Sequence, residues 1–396
     1  MSVRSELSVS EYRHRGDQMR VYMEEQGLAG LCIFGAMRIF YLSGFHHLAT
    51  ERPVVLVLPL EGDLALLVPH LEEENIPLRT PHIEEVRVYR EYPGTEHPMH
   101  HLAGLLRDKG LAEAALGVDA GGWGGGWGYR GPELGEVVPK ARLTNVRDVI
   151  DDRRMIKSPA EVELIRRSVE FGNVAHSLLQ DYVEPGLSEL AISMRAAADA
   201  SLHMTRVLGP DWEPMGSAAA AAGITSGFKT ALNHRRPGSR RIRRGDVILT
   251  YASAEVGGYV SELERMFIVG PPSERQRTYF DLEVQAQDVA LASIRPGIPC
   301  SEVERAVNAF LEEHDLYPLT RTHIGHGIGI EGHEAPFLDL GDDTPIEPGM
   351  VLTVEPCLFL PGEAGFRHSD TVLVTEEGCE MLTYYPRDID SLTVDI

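Results

Sequence analysis

Apolar positions in the first third of the chain come as short unbroken runs closed by turn-formers. Residues 28–34 (Leu-Ala-Gly-Leu-Cys-Ile-Phe) and 53–59 (Pro-Val-Val-Leu-Val-Leu-Pro) are continuous rather than alternating, the pattern of strands covered on both faces. Positions 99–109 space their apolar residues at helical intervals, and 116–119 reads as the strand that follows. Strand-like runs separated by helical stretches predict a compact α/β domain over residues 1–150.

The pattern changes after residue 150. Ser158-Pro-Ala-Glu161 offers an N-cap hydroxyl, a proline at the first helical position and a capping-box glutamate, so a long amphipathic helix is expected to run from there to about Tyr182. A second helix is expected over 187–202, a third over 272–294 and a fourth from Ser301. Strands are expected near Val247, Met266, Thr322, Met350 and Thr371. Helices mixed with hairpins, rather than strict strand-helix-strand units, predict an α+β domain over residues 151–396.

Length and charge narrow the functions open to such a chain. At 396 residues it exceeds what one core usually serves, and 43% hydrophobic with 24% charged residues suits a water-soluble two-domain protein. A formal charge of -23 argues against nucleic acid as partner and for a small-molecule or dipeptide-sized substrate. The opening residues lack the apolar core of a signal peptide and no run is long enough to span a membrane, so no membrane partner and a cytoplasmic location are expected. Cys32, Cys300, Cys357 and Cys379 are widely spaced among apolar neighbours, as reduced buried thiols are. The glycine-rich 121–128 lacks a P-loop ending and reads as a flexible loop with Trp123 and Trp127 as aromatic plugs.

Chemistry concentrates in the second half, where polar residues interrupt apolar segments: His234 before Arg-Arg-Pro, the hairpin 245–267 with Tyr251, Glu262 and Glu264, Gly325-His326-Gly-Ile-Gly with His333-Glu334, Val354-Glu355-Pro356, and Gly365-Phe-Arg367-His-Ser369-Asp370. Two hairpin strands are expected to set Tyr251 opposite Glu262. Period-two alternation puts Glu262 and Glu264 on one face, which is commonly a solvated one, and Glu264 next to Arg265 has the makings of a plain ion pair. Tyr251 reads either as core or as a hydrogen-bond donor to substrate, and Ser369 is equally open.

In order and spacing these segments resemble the pita-bread family of methionine aminopeptidases, Xaa-Pro peptidases, prolidases and creatinases. The likeness runs nearly end to end, with Tyr41-Leu-Ser-Gly-Phe45 and Glu51-Arg52-Pro53 carrying it in the first half. It implies an α+β pita-bread domain behind an α/β creatinase-type domain. The peptidases of this family hold two metals with Asp, Asp, His, Glu and Glu, positions that fall on Tyr251, Glu262, His326, Glu355 and Ser369. Two carboxylates are therefore missing, and a neutral hydroxyl replaces a bridge.

That pattern resembles the metal-independent creatinase branch, in which His234 falls on the catalytic histidine, Glu264 on the substrate-binding glutamate and Glu355 on the second carboxylate. The resemblance implies a carboxylate clamp for a planar cation, with His234 taking a proton from water and returning it to the departing nitrogen. His326 and His333 join the catalytic set. Arg52, Tyr251, Glu262, Arg367 and Ser369 join the substrate-binding set, Arg52 acting across a homodimer interface. Apolar Phe337 and Ser369 stand where creatinases carry an Arg and a His, which points away from creatine itself.

The expectation is a creatinase-like hydrolase that cleaves a C–N bond of a small zwitterionic or cationic substrate without a metal. The alternative is a metal-dependent Xaa-Pro peptidase with altered ligands, a single Mn, Zn, Co or Fe lying between Glu262, His326 and Glu355. A catalytically inactive binding module is the reading from another class.

Overall fold

The computed structural model describes residues 6–395 apart from 81, 84, 217 and 218. The chain divides into two compact units, Leu7–Arg153 and Arg154–Ile396.

The first unit is built on a six-stranded mixed sheet in the order Glu85–Tyr89, Ala65–Pro69, Val55–Pro59, Gly30–Ile33, Ala115–Val118, Arg142–Asn145. Its two central strands are the continuous apolar runs, and every residue of Gly30–Ile33 and Val55–Pro59 is buried. They pair antiparallel, Gly30 opposite Pro59, while Gly30–Ile33 runs parallel to Ala115–Val118. Helix Pro98–Asp108 falls within one residue of its expected bounds. Helix Val9–Gln26 has no counterpart in the sequence reading, because its face is mostly charged and only scattered residues such as Met19 and Met23 reach the core. Of the two expected plugs, Trp123 is buried and donates from Nε1 to the Thr50 carbonyl at 3.0 Å. Trp127 is no plug: it is 72% exposed at a tip where flanking glycines turn the chain outward.

The second unit carries the long sheet. Its main path runs Glu334–Phe337, His326–Gly327, Val351–Val354, Ser369–Val374, Leu263–Glu264, Val247–Val256, Met266–Val269, Thr393–Val394. Four helices pack on it, Pro159–Tyr182, Glu189–Leu208, Glu274–Ser293 and Cys300–Glu313, around one core that includes Leu179, Ile248, Phe267, Val303 and Leu352. The capping box forms as its chemistry dictates: Ser158 Oγ accepts from Glu161 N at 3.3 Å and Glu161 Oε2 accepts from Ser158 N at 2.8 Å. Glu161 Oε1 also receives the Tyr259 hydroxyl at 2.7 Å, so the helix start is tied to the site hairpin. The second helix continues to Leu208, past its expected end near 202. Around Thr322 only His326–Gly327 is extended, because two glycines and a bulge leave little ladder to form. Cys32, Cys300 and Cys357 are buried free thiols, while Cys379 is only partly covered. Among the described residues no helix is long and apolar enough to cross a membrane.

Candidate active site

The register of the hairpin 245–267 follows from its turn. Gly257 and Gly258 both take positive φ, 59° and 82°, the two-residue turn that only glycine-like residues make at no cost, and it fixes Val256 opposite Tyr259. Counting back, Leu263 pairs with Ala252 and Met266 with Leu249. Tyr251 therefore lies across from Glu264, not from Glu262 as the sequence suggested, and Glu264 faces Ser369 on its other side. The expected pairing would need the turn one residue earlier, at Val256-Gly257.

Glu262 and Glu264 do share a face, and it is an interior one: they are 6% and 3% exposed. Glu264 makes no pair with its neighbour Arg265, whose side chain goes to the opposite face and meets Asp370 at 2.7 Å. Instead Arg367 grips Glu264, Nη2 donating to Oε1 at 2.6 Å with Nε close against Oε2. The same guanidinium places Nη1 3.5 Å from Glu355 Oε2. Ser369 Oγ donates to Glu262 Oε1 at 2.8 Å.

His326 completes the group. Its Nδ1 lies 3.0 Å from the Gly327 carbonyl, an acceptor, so Nδ1 carries the hydrogen. Its Nε2 then faces Glu355 Oε1 at 3.2 Å, off the line of a hydrogen bond and with no other partner among the described residues. A bare ring nitrogen facing a carboxylate calls for something positive between them, a proton or a cation. Electrostatics agrees, since Glu262, Glu264 and Glu355 share one guanidinium. Burial pushes Glu264 up to about 8, and burial with the charge of Glu355 raises Glu262. Arg367 and His326 hold Glu355 below its ordinary value against the cost of burial, and these carboxylates raise His326.

Further imidazoles gather beside it. His333 is exposed and stacks on His326 at 3.7 Å between ring centroids. His323 packs edge-on to His326 at 5.8 Å and lies 5.5 Å from Phe337. His234 is exposed, has φ 56°, and lies near enough to His333 for its charge to oppose protonation there. Tyr251 is 39% exposed, and burial together with Glu262 pushes its phenol up to about 12. Arg52 belongs to the other unit, where Glu91 at 2.7 Å and Glu51 take its guanidinium.

The structure thus brings Tyr251, Glu262, Glu264, His326, His333, Glu355, Arg367 and Ser369 into one neighbourhood. Sequence reasoning missed His323, though a histidine three positions before His326 in the same glycine-rich segment was signal enough. It named Glu334 beside His333 but gave it no role; Glu334 sits buried between Arg154 at 2.6 Å and Lys157 at 3.3 Å and anchors the segment that presents His333. The backbone there is close-packed: a Cβ on Gly325 would meet the Thr353 carbonyl at 2.1 Å, and one on Gly327 the Ala335 carbonyl at 2.3 Å.

Glu262, His326 and Glu355 offer ligand atoms within 4.8 Å of one another. Two carboxylates and an unpartnered imidazole nitrogen fit one divalent cation. A second cation does not fit, because Tyr251 and Ser369 supply no carboxylate and Arg367 already neutralises Glu264.

Comparison with known proteins places this site in context. Residues 163–376 match the model of metallopeptidase family M24, and residues 15–156 match the creatinase/prolidase N-terminal domain. The chain is 30% identical over 385 residues to the Xaa-Pro dipeptidase of Pyrococcus furiosus, covering 95% of this chain and 99% of that one. It is 23% identical over 393 residues to the creatinase of a Bacillus species, covering 97% and 93%. The crystal structure of the prolidase from Pyrococcus horikoshii superposes with a TM-score of 0.81 at 26% identity, over 95% of this chain and 99% of that one.

Proposed function

The chain belongs to metallopeptidase family M24 and is a hydrolase of C–N bonds, and from that premise we propose that it cleaves a small Xaa-Pro-type dipeptide at a site holding a single divalent cation. One observation carries the choice over the metal-free reading: Arg367 occupies Glu264. A clamp meant for a guanidinium substrate is closed by the chain's own guanidinium, whereas Glu262, His326 and Glu355 present an oxygen-and-nitrogen set whose like charges resist one another. The Xaa-Pro dipeptidase relative, more similar than the creatinase, supports the same reading.

A divalent ion at that set supplies polarisation of the scissile carbonyl and a more acidic water. The chain's residues do the rest. Arg367 has Nη1 turned toward Glu355 rather than fully engaged, and it orients the substrate through its remaining N–H groups. His323 and Phe337 form an aromatic wall against which a proline ring can lie. As water oxygen bonds to the carbonyl carbon its proton passes to an imidazole, His333 or the neighbouring His234, and is handed to the nitrogen as the C–N bond breaks. The products are a free carboxylate and an amine. We retain Arg52 as a contact for the substrate carboxylate contributed across a homodimer interface, which requires it to exchange Glu91 for substrate.

The deciding experiment measures metal content and hydrolysis together. With Mn added, about one equivalent should bind and Xaa-Pro dipeptides should be cleaved, with activity abolished by chelator and restored by metal. Chelator-insensitive cleavage of creatine-like or ectoine-like substrates, with no bound metal, would establish instead the metal-free reading that Tyr251 and Ser369, by diluting the ligand set, favour.

A further inference from the structure

A cation pair acts on a peptide carbonyl from two sides, one ion holding the attacking oxygen and the other drawing on the carbonyl oxygen as it becomes negative. With a single cation, one of those tasks falls to the protein. The candidates are the groups that replace the lost carboxylates, Tyr251 and Ser369. Ser369 is committed, since it is buried and its hydroxyl donates to Glu262 at 2.8 Å. Arg367 has Nη2 and Nε on Glu264 and Nη1 toward Glu355, and its remaining N–H groups serve the substrate orientation proposed above.

Tyr251 differs in each respect. Along its strand Thr250 and Ala252 are buried at 1% and 0%, while Tyr251 between them is 39% exposed, so alternation puts its ring on the face of Glu262 and Glu264, at the margin where that face opens. The ladder puts it directly across from Glu264, and the charges of Glu262, Glu264 and Glu355 all bear on its hydroxyl. Burial and those carboxylates hold the phenol in its protonated form across the physiological range.

We propose that Tyr251 is the oxyanion donor of this site, its O–H bonding to the carbonyl oxygen as negative charge develops there, in the place a second cation takes in two-metal relatives. No proton is transferred in this role. The hydrogen bond shortens as the oxygen becomes anionic and relaxes when the C–N bond breaks, so it favours the transition state over bound substrate. The inference rests on the single-cation reading above and assigns the missing half of its electrostatics.

The test uses the full chain and Tyr251→Phe, read in three ways. On an Xaa-Pro dipeptide, kcat should fall by about a hundredfold or more with KM and bound Mn unchanged, the size seen when one oxyanion donor is removed. Affinity for a phosphinic Xaa-Pro isostere, whose tetrahedral oxygen imitates the oxyanion, should fall by at least tenfold, while affinity for the amino-acid product holds. In Tyr251→Asp/Ser369→Glu, bound Mn should rise from one equivalent to two. An unchanged phosphinate affinity in Tyr251→Phe overturns the proposal whatever the turnover shows, and so does a second equivalent of Mn in the unaltered chain. A chain that binds no metal and cleaves no dipeptide defeats the underlying reading and the proposal with it, an outcome distinct from an unchanged phosphinate affinity in a chain that binds Mn and turns over.

Discussion

Arg367 is the residue on which the site turns. It enters a nest of three buried carboxylates and pairs with two of them, so removing it leaves Glu264 without its counter-charge and Glu355 with His326 alone. Arg367→Ala is expected to cost about 3–5 kcal/mol, the usual penalty for breaking a buried pair, and chemical denaturation should show it. Adding Mn should return part of that loss in the variant. The titration of the same nest has a definite sign. Glu264, and outside the nest Glu283, which is buried against His368 at 2.7 Å, are raised from 4.5 to about 8, so between those values the folded chain holds protons that the unfolded chain has released. Stability should therefore decline as pH rises from about 4.5 to about 8, and Glu264→Gln should flatten the decline. On the acid side Glu334, Glu355 and Asp370 are lowered, and the stability they contribute is lost as pH falls through their folded values. Residue by residue, the sequence disclosed which groups would meet, since Glu262, His326, Glu355, Arg367 and Ser369 all stand together. It did not disclose who pairs with whom. Arg265 and Arg367 are equally plausible partners for Glu264 until strand alternation sends one of them to the far face.

Elements position these groups through a few anchors outside the site. The capping box at Ser158 was legible because every contact in it is local. Ser158→Ala should cost about 1 kcal/mol, as loss of an N-cap does. Glu161→Ala should cost more, because it also takes an acceptor from the buried Tyr259 hydroxyl, and thermal melts of the two variants should rank them so. Glu334 is the corresponding anchor for the segment carrying His333. Glu334→Ala takes from Lys157 its buried acidic partner and leaves Glu331 to Arg154, and is expected to cost about 3–5 kcal/mol in denaturation while lowering kcat through a displaced His333. That anchor was hidden in the sequence, since its partners lie about 180 positions away. The facing residue of Tyr251 was misjudged for a different reason: pairing in a hairpin is set by the turn, and Gly257-Gly258 had to be counted as the whole of it.

At the scale of the whole molecule, the two units have separate sheets and the proposed cation belongs to one of them. Calorimetry should resolve two transitions, and Mn at a hundred times its dissociation constant should stabilise the one from Arg154–Ile396 by about 2.7 kcal/mol, leaving the other unmoved. The broad architecture was readable because long apolar runs and capped helices report on it directly; the helix Val9–Gln26 escaped because its few core contacts are scattered among charges. The close-packed glycines have the widest consequence. A methyl group at Gly325 or Gly327 would collide with main-chain oxygen, whereas the ladders are intact around Tyr251 and Ser369, the positions at which the family resemblance implies acidic ligands. Tolerance in this scaffold is thus unevenly distributed: the catalytic vocabulary can be rewritten one side chain at a time, while the grammar of backbone that spaces it admits almost no edits. A search for new activities in this protein would do well to randomise the ligand positions and leave the glycines alone.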